Sequence, residues 1–400
     1  MDSSATGDVE LTKARIEAGQ DRPYVLELIF PEYNRHVEFR VLPIVKHALK
    51  RVQCLRITLD EVLVSSLWDN LLDDAPKLAE LQVILCATPA PILPRHDPLS
   101  PAILGGKPSE IRTLKLKNVL LPDIPVPALG AAEDVTLLFE ANSTQNFPAY
   151  LFQYFPRMCR LRLSGGSIAA PPSQLPHFVA DGVRRLKFLD LETCDQDTAP
   201  FLEGLPSREI DEIVIAYPDE DSVYAALAGL LHPFNLSFQP DALSLDDFEI
   251  HVYSPRLSRG RRFIEARSDY TTEAQVNPLL LNEYFPAQVR WLSIALSLWS
   301  LVASWLLAFD DLDEFTVLID VEDDLSTMAM PVPIKCKSLL RFTLKATVGA
   351  RIGVPAQWLI ALLDMPSLQK PSLVLEDVCL RDAKESCLDG YFLSILNQRR

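Results

Sequence analysis

One short apolar pattern recurs along the chain: an apolar residue, two of any kind, a second apolar residue, one of any kind, and a third. It appears as Val52-Leu55-Ile57, Leu78-Leu81-Val83, Ile111-Leu114-Leu116, Met158-Leu161-Leu163 and Val183-Leu186-Phe188. It returns as Ile210-Ile213-Ile215, Leu245-Phe248-Ile250, Val289-Leu292-Ile294, Leu312-Phe315-Val317 and Leu339-Phe342-Leu344. Successive starts fall from 23 residues apart (Val289 to Leu312) to 47 apart (Ile111 to Met158). The longest gap divides if Val135 and Leu137 belong to a degenerate copy starting at Ala132. A period of about 20–35 residues around an L-x-x-L-x-L core is the mark of a leucine-rich-repeat solenoid.

The second and third apolar positions lie two apart, so in a strand they point to one face. The first, three residues earlier, turns the chain into that strand. One copy buries only three or four side chains, each worth roughly 1.5–3 kcal/mol. Ordering the rest of the copy, at about 1–2 kcal/mol of backbone entropy per residue, cancels that gain. Copies must therefore stack and share a core.

The segments ahead of the strands fit. Val62-Leu63-Val64 and Leu67-Trp68 through Leu71-Leu72 have helical spacing, and Ala75-Pro76 ends that helix before Leu78. Pro156 stops Ala149 to Phe155, Pro366 stops Trp358 to Leu363, and Phe285-Pro286 precedes Val289. The rival is an ordinary α/β domain, which also alternates helix and strand but with longer apolar strands and fewer than these 31 prolines. Thr88 to Ser109 and Pro122 to Pro127 are expected to be insertion loops, and Tyr253 to Asn282 a degenerate repeat or a flexible excursion.

The expected architecture is α/β: a curved leucine-rich-repeat horseshoe with a parallel concave sheet and helices or irregular turns outside. Residues 1–23 are expected to be a disordered polar tail without the apolar run of a signal peptide. Residues 24–400 would form one solenoid, capped by 24–50 at one end and 387–400 at the other. The 7 cysteines show no C-x-x-C spacing and fit reduced thiols in the cytoplasm or nucleus. Trp291 to Phe309 is uncharged and long enough for a membrane span, but its start is in phase with the repeat, so a strand running into a buried helix is the expectation.

A formal net charge of −16 argues against a nucleic-acid partner. Locally the balance differs. Phasing places Thr113 and Lys115, then Arg160 and Arg162, then Arg185 and Lys187 on the outward concave face, and Lys117 extends the row. Asp134 and Thr136 would interrupt it, and Glu212, Asp247 and Glu249 would reverse its sign. The expectation is a bipolar face whose basic patch takes an acidic or phosphorylated segment of a protein partner.

No catalytic, cofactor or metal motif is expected. The 6 histidines are scattered without H-E-x-x-H spacing, and no nucleophile elbow or phosphate loop occurs. Ser164-Gly165-Gly166-Ser167 lacks the lysine of a phosphate loop and fits a turn. The clusters at Asp219, Asp310 and Glu322 lack calcium-loop spacing.

Ala14-Arg15-Ile16-Glu17 through Pro23 to Leu28, followed by Leu42 to Thr58 with His47, Arg51, Leu55 and Ile57, resembles the region after the F-box in F-box/leucine-rich-repeat proteins of mushroom-forming fungi. Phe155 to Leu163 and Ala75 to Leu81 are similar to that family's repeats. The resemblance implies the substrate receptor of a cullin-RING ubiquitin ligase, its F-box gripping the Skp adaptor and its repeats choosing the substrate. The sequence departs from the family in showing no F-box ahead of Pro23, as an incomplete gene product or a receptor without its ligase connection would. A stand-alone repeat scaffold is the alternative reading.

Overall fold

The computed structural model describes residues 24–86, 97–139, 144–145, 150–165, 167–168, 176–192, 202, 210–216, 242–246, 249–254, 259–264, 289–299, 312–320, 338–347, 351–362, 370–381 and 388–398. The fold is α/β with mostly parallel strands. Its contacts divide into two compact units, Met1–Asp195 with Gly204–Ile210, and Gln196–Glu203 with Asp211–Arg400.

In the first unit, β1 (Tyr24–Phe30), β2 (Val52–Asp60), β3 (Glu80–Cys86), β4 (Thr113–Lys117), β5 (Asp134–Leu138), β6 (Arg160–Ser164) and β7 (Phe188–Glu192) pair in that order, all parallel. The register explains the sequence pattern. Leu55, Leu81, Leu114, Val135, Leu161 and Leu189 lie side by side, as do Ile57, Val83, Leu116, Leu137, Leu163 and Leu191. All twelve are buried. The copy starting at Ala132 is thus a full strand.

Strands β4 to β7 enter through the same forked hydrogen bond. The amides of Arg112 and Thr113 donate to the Ala79 carbonyl, those of Glu133 and Asp134 to Arg112, and those of Cys159 and Arg160 to Glu133. The fork gives both entry amides a backbone partner. The exit is equally regular. Asn118 and Gly165, each two residues past the third apolar position, have φ of 57° and 77°. Asparagine and glycine are the residue types that adopt this conformation readily. The Asn118 side-chain amide also donates to the Leu85 carbonyl at 3.1 Å.

Between strands the chain runs through helices that bury one flank against the leucines. They are α1 (Leu42–Ala48), α2 (Val64–Asn70), which continues a 3-10 turn capped by Asp60, α3 (Leu151–Tyr154) and α4 (His177–Arg185). Pro156 follows α3 as expected.

Two phases need correction. The fifth copy is Leu186-Leu189-Leu191, not Val183-Leu186-Phe188. Val183 is a buried residue of α4, and the three-residue slip puts Leu189 and Leu191 beside Leu161 and Leu163. Leu245-Phe248-Ile250 is likewise displaced. In the second unit β8 (Glu212–Ala216), β9 (Ala242–Asp246), β10 (Glu249–Ser254), β11 (Arg259–Ile264), β12 (Trp291–Ala295), β13 (Glu314–Ile319), β14 (Arg341–Ala346), β15 (Ser372–Glu376) and β16 (Ser394–Gln398) form the sheet. Leu243 and Leu245 pair with Leu292 and Ile294, whereas Ile250 belongs to an antiparallel strand. That strand sits between β9 and β11, so the sheet order is β8-β11-β10-β9-β12-β13-β14-β15-β16. The stretch beginning at Tyr253 therefore adds a sheet strand, β11, parallel to β8. Residues 265–282 of it lie outside the described residues.

The second unit's core continues the pattern. Leu292, Phe315, Phe342 and Leu373 align, with ring centroids of Phe315 and Phe342 5.5 Å apart. Asp377, with φ of 55°, repeats the exit turn two residues past Leu375. A helix, α5 (Ala356–Leu362), precedes β15. Of Trp291 to Phe309, the first five residues are the expected strand and residues 300–309 lie outside the described residues, as do residues 1–23. Among the described residues no helix is long and apolar enough to cross a membrane.

Candidate functional site

The residues between the apolar positions all emerge on one face of each sheet, because side chains alternate along a strand. In the first unit they form three rows. One runs Val25, Cys54, Glu80, Thr113, Asp134, Arg160, Phe188. The middle row is Glu27, Arg56, Gln82, Lys115, Thr136, Arg162, Asp190, and the third is Ile29, Thr58, Ile84, Lys117, Leu138, Ser164, Glu192.

Four of the six basic residues expected on this face are there: Lys115, Lys117, Arg160 and Arg162. The other two are not. Arg185 is the last residue of α4, and Lys187 lies just before β7, where its amide donates to the Cys159 carbonyl. The corrected phase replaces them with Phe188, Asp190 and Glu192. The face is consequently of mixed charge. Arg160 pairs with Asp134 at 3.5 Å and Arg162 with Asp190 at 3.9 Å. Arg56 Nε donates to Glu80 at 2.8 Å, and this hydrogen bond holds the Glu80 carboxyl below its ordinary range. Burial first, then the neighbouring Glu80, pushes the Cys54 thiol up, so it is held as thiol and not as the nucleophilic thiolate.

Phe188 is the residue that periodicity missed. The Arg160 guanidinium carbon lies 4.3 Å from its ring centroid and that of Arg162 5.4 Å, so two cations share one aromatic ring. The detectable signal was the second leucine pair, Leu189 and Leu191, which competes with Leu186 and Phe188 for the same pattern.

On the second unit's face Glu212 pairs with Arg262 at 3.4 Å, so the expected acidic sign there is offset, and Asp247 lies outside the described residues. His251 and Tyr253 stack with centroids 4.4 Å apart on β10. Gly260 makes room for them: an added Cβ would come within 2.6 Å of His251 Nε2. Burial and then the Arg262 charge push the His251 pKa down to about 4. Among the described residues no three His, Cys, Asp or Glu side chains group as metal ligands, and Cys54, Cys86, Cys159 and Cys379 are unbridged. The arrangement suits contact with a partner's side chains through charge, stacking and hydrogen bonds. Compared with known proteins, the chain matches no family model and no curated sequence.

Proposed function

We propose that the chain is a leucine-rich-repeat solenoid that recognises another protein through its exposed sheet face. In this reading it is the substrate-binding region of an F-box-like ubiquitin-ligase receptor and carries no chemistry of its own. The supporting observation is the register: in each unit successive parallel strands align their apolar positions, so the variable residues between them collect on one face. That is the geometry by which repeats present an extended binding surface. The ligase connection rests on the resemblance of Pro23 to Thr58 to the post-F-box region.

The test is affinity capture from native extract with the chain as it stands, read by mass spectrometry. Co-purification of the Skp adaptor and a cullin supports the receptor reading. A reproducible protein partner without them supports the stand-alone scaffold instead. Reversing Arg160 and Arg162 to Glu should lower partner recovery by tenfold or more, on the order of 1.4 kcal/mol, with the fold retained but thermal unfolding lowered, since the new carboxylates face Asp134 and Asp190. Undiminished recovery would remove this face from the site.

A further inference from the structure

Lys115 and Lys117 differ from the arginines beside them. Arg56, Arg160 and Arg162 each meet a carboxylate on a neighbouring strand, whereas neither lysine has an ion pair or hydrogen bond among the described residues. Both are half-buried and share one face of β4, about 6.6 Å apart along the strand. Thr136 stands beside Lys115 on β5, and Arg162 beside Thr136 on β6. Lys115 and Arg162 are thus two strand spacings apart, about 9.5 Å, with the Thr136 hydroxyl between them. Both side chains are long enough to reach over that gap. The acids on the flanking strands already face arginines: Glu80 and Asp134 beside β4 pair with Arg56 and Arg160, and Asp190 beside Arg162 pairs with it at 3.9 Å, the longest of the three cross-strand pairs on this face.

We propose that Lys115, Lys117 and Arg162, with Thr136 at the floor, bind a phosphorylated serine or threonine in an extended segment of the protein partner. The proposal rests on the reading of this face as a recognition surface. Charge complementarity selects the ligand. Two un-neutralised ammonium groups match the roughly −1.5 to −2 charge and three acceptor oxygens of a phosphate ester, whereas one carboxylate would neutralise only one of them. A nucleic acid would carry many further phosphates across a chain of net charge −16, which repels them.

The probe is a fluorescent peptide library with a fixed central phosphothreonine, titrated into the full chain and compared with the same library carrying threonine. The phosphorylated library should bind at least about tenfold more tightly. The K115E/K117E double variant should abolish that difference, K115R/K117R should keep most of it, and both should unfold at the wild-type temperature. Equal binding of the two libraries, or a phosphate preference that survives K115E/K117E, overturns the proposal. So does lysine-dependent binding of single-stranded RNA with no binding of the phosphorylated library. Partner capture that is lost in the Arg160/Arg162 reversal yet insensitive to phosphatase would sink the phosphate site while leaving the recognition reading standing.

Discussion

At the scale of single residues, Arg261 breaks the rule its neighbours obey. It occupies the inward position beside Ile213 and Val252, and its side chain is 2% exposed. Its guanidinium donates to the Gly260 carbonyl at 2.8 Å and reaches the Asp211 carbonyl at 3.4 Å. A buried cation is weak evidence for stability even where it is hydrogen-bonded, because desolvation offsets much of the attraction. Arg261→Leu should therefore leave the unfolding free energy unchanged or raise it, while Arg261→Ala should lose about 2–5 kcal/mol through the cavity it leaves. Urea titration of both variants decides this. Across the same strand pair, His251 makes folding pH-dependent. Its folded-state pKa of about 4 lies below the ordinary 6.5. The unfolded chain therefore takes up the proton first as pH falls. The stability His251 contributes is complete above about pH 6.5 and is lost as the pH falls toward 4, up to about 2–3 kcal/mol after allowance for its partial exposure. Arg262 and its partner Glu212 face the same site. His251→Gln should flatten the stability profile between pH 7 and 4, and an unchanged slope would show that the loss arises elsewhere.

At the scale of elements, the strands of each unit depend on register and the loops on little beyond their length. One alanine inserted between Leu114 and Lys115 would move Lys115 into the buried place of Leu116 and Leu116 to the exposed face. The expected loss is at least about 3 kcal/mol, the burial of one leucine together with the penalty for a buried ammonium. A Gly-Ser pair inserted after Asp123, in the exposed Asp123–Pro125 loop, should shift Tm by no more than about 2 °C, because loop-closure entropy grows slowly with length. Thermal unfolding followed by circular dichroism separates the two. Equal effects would mean that the strand register is less constrained than the aligned leucines indicate.

At the scale of the whole molecule, 54 acidic residues against 38 basic ones set the long-range field. Basic side chains on the first unit's face sit among Glu27, Glu80, Asp134, Asp190 and Glu192, so no extended basic surface results. The chain should not retard duplex DNA at micromolar protein near physiological ionic strength, where backbone binding needs several clustered cations. A gel-shift assay that found retardation would require a basic surface beyond these rows.

For most copies the apolar triads were enough to foretell a strand, its parallel alignment and the face each side chain would take, because alternation along a strand is a local property of the backbone. Lys115, Lys117, Arg160 and Arg162 were placed correctly on that account. Arg185 and Lys187 were not, because the run from Val183 to Leu191 satisfies the pattern in two phases. Only packing against Leu161 and Leu163 chooses between them. The antiparallel strand at Glu249–Ser254 was equally invisible, since its apolar alternation is the same in either direction. Direction, phase and the pairing of Arg160 and Arg162 around Phe188 depend on residues far apart in the chain. The sequence by itself determined that these segments alternate inward and outward residues, and the tertiary structure decided the phase where two were open and which charges meet, because only strand pairing brings distant residues within reach of one another.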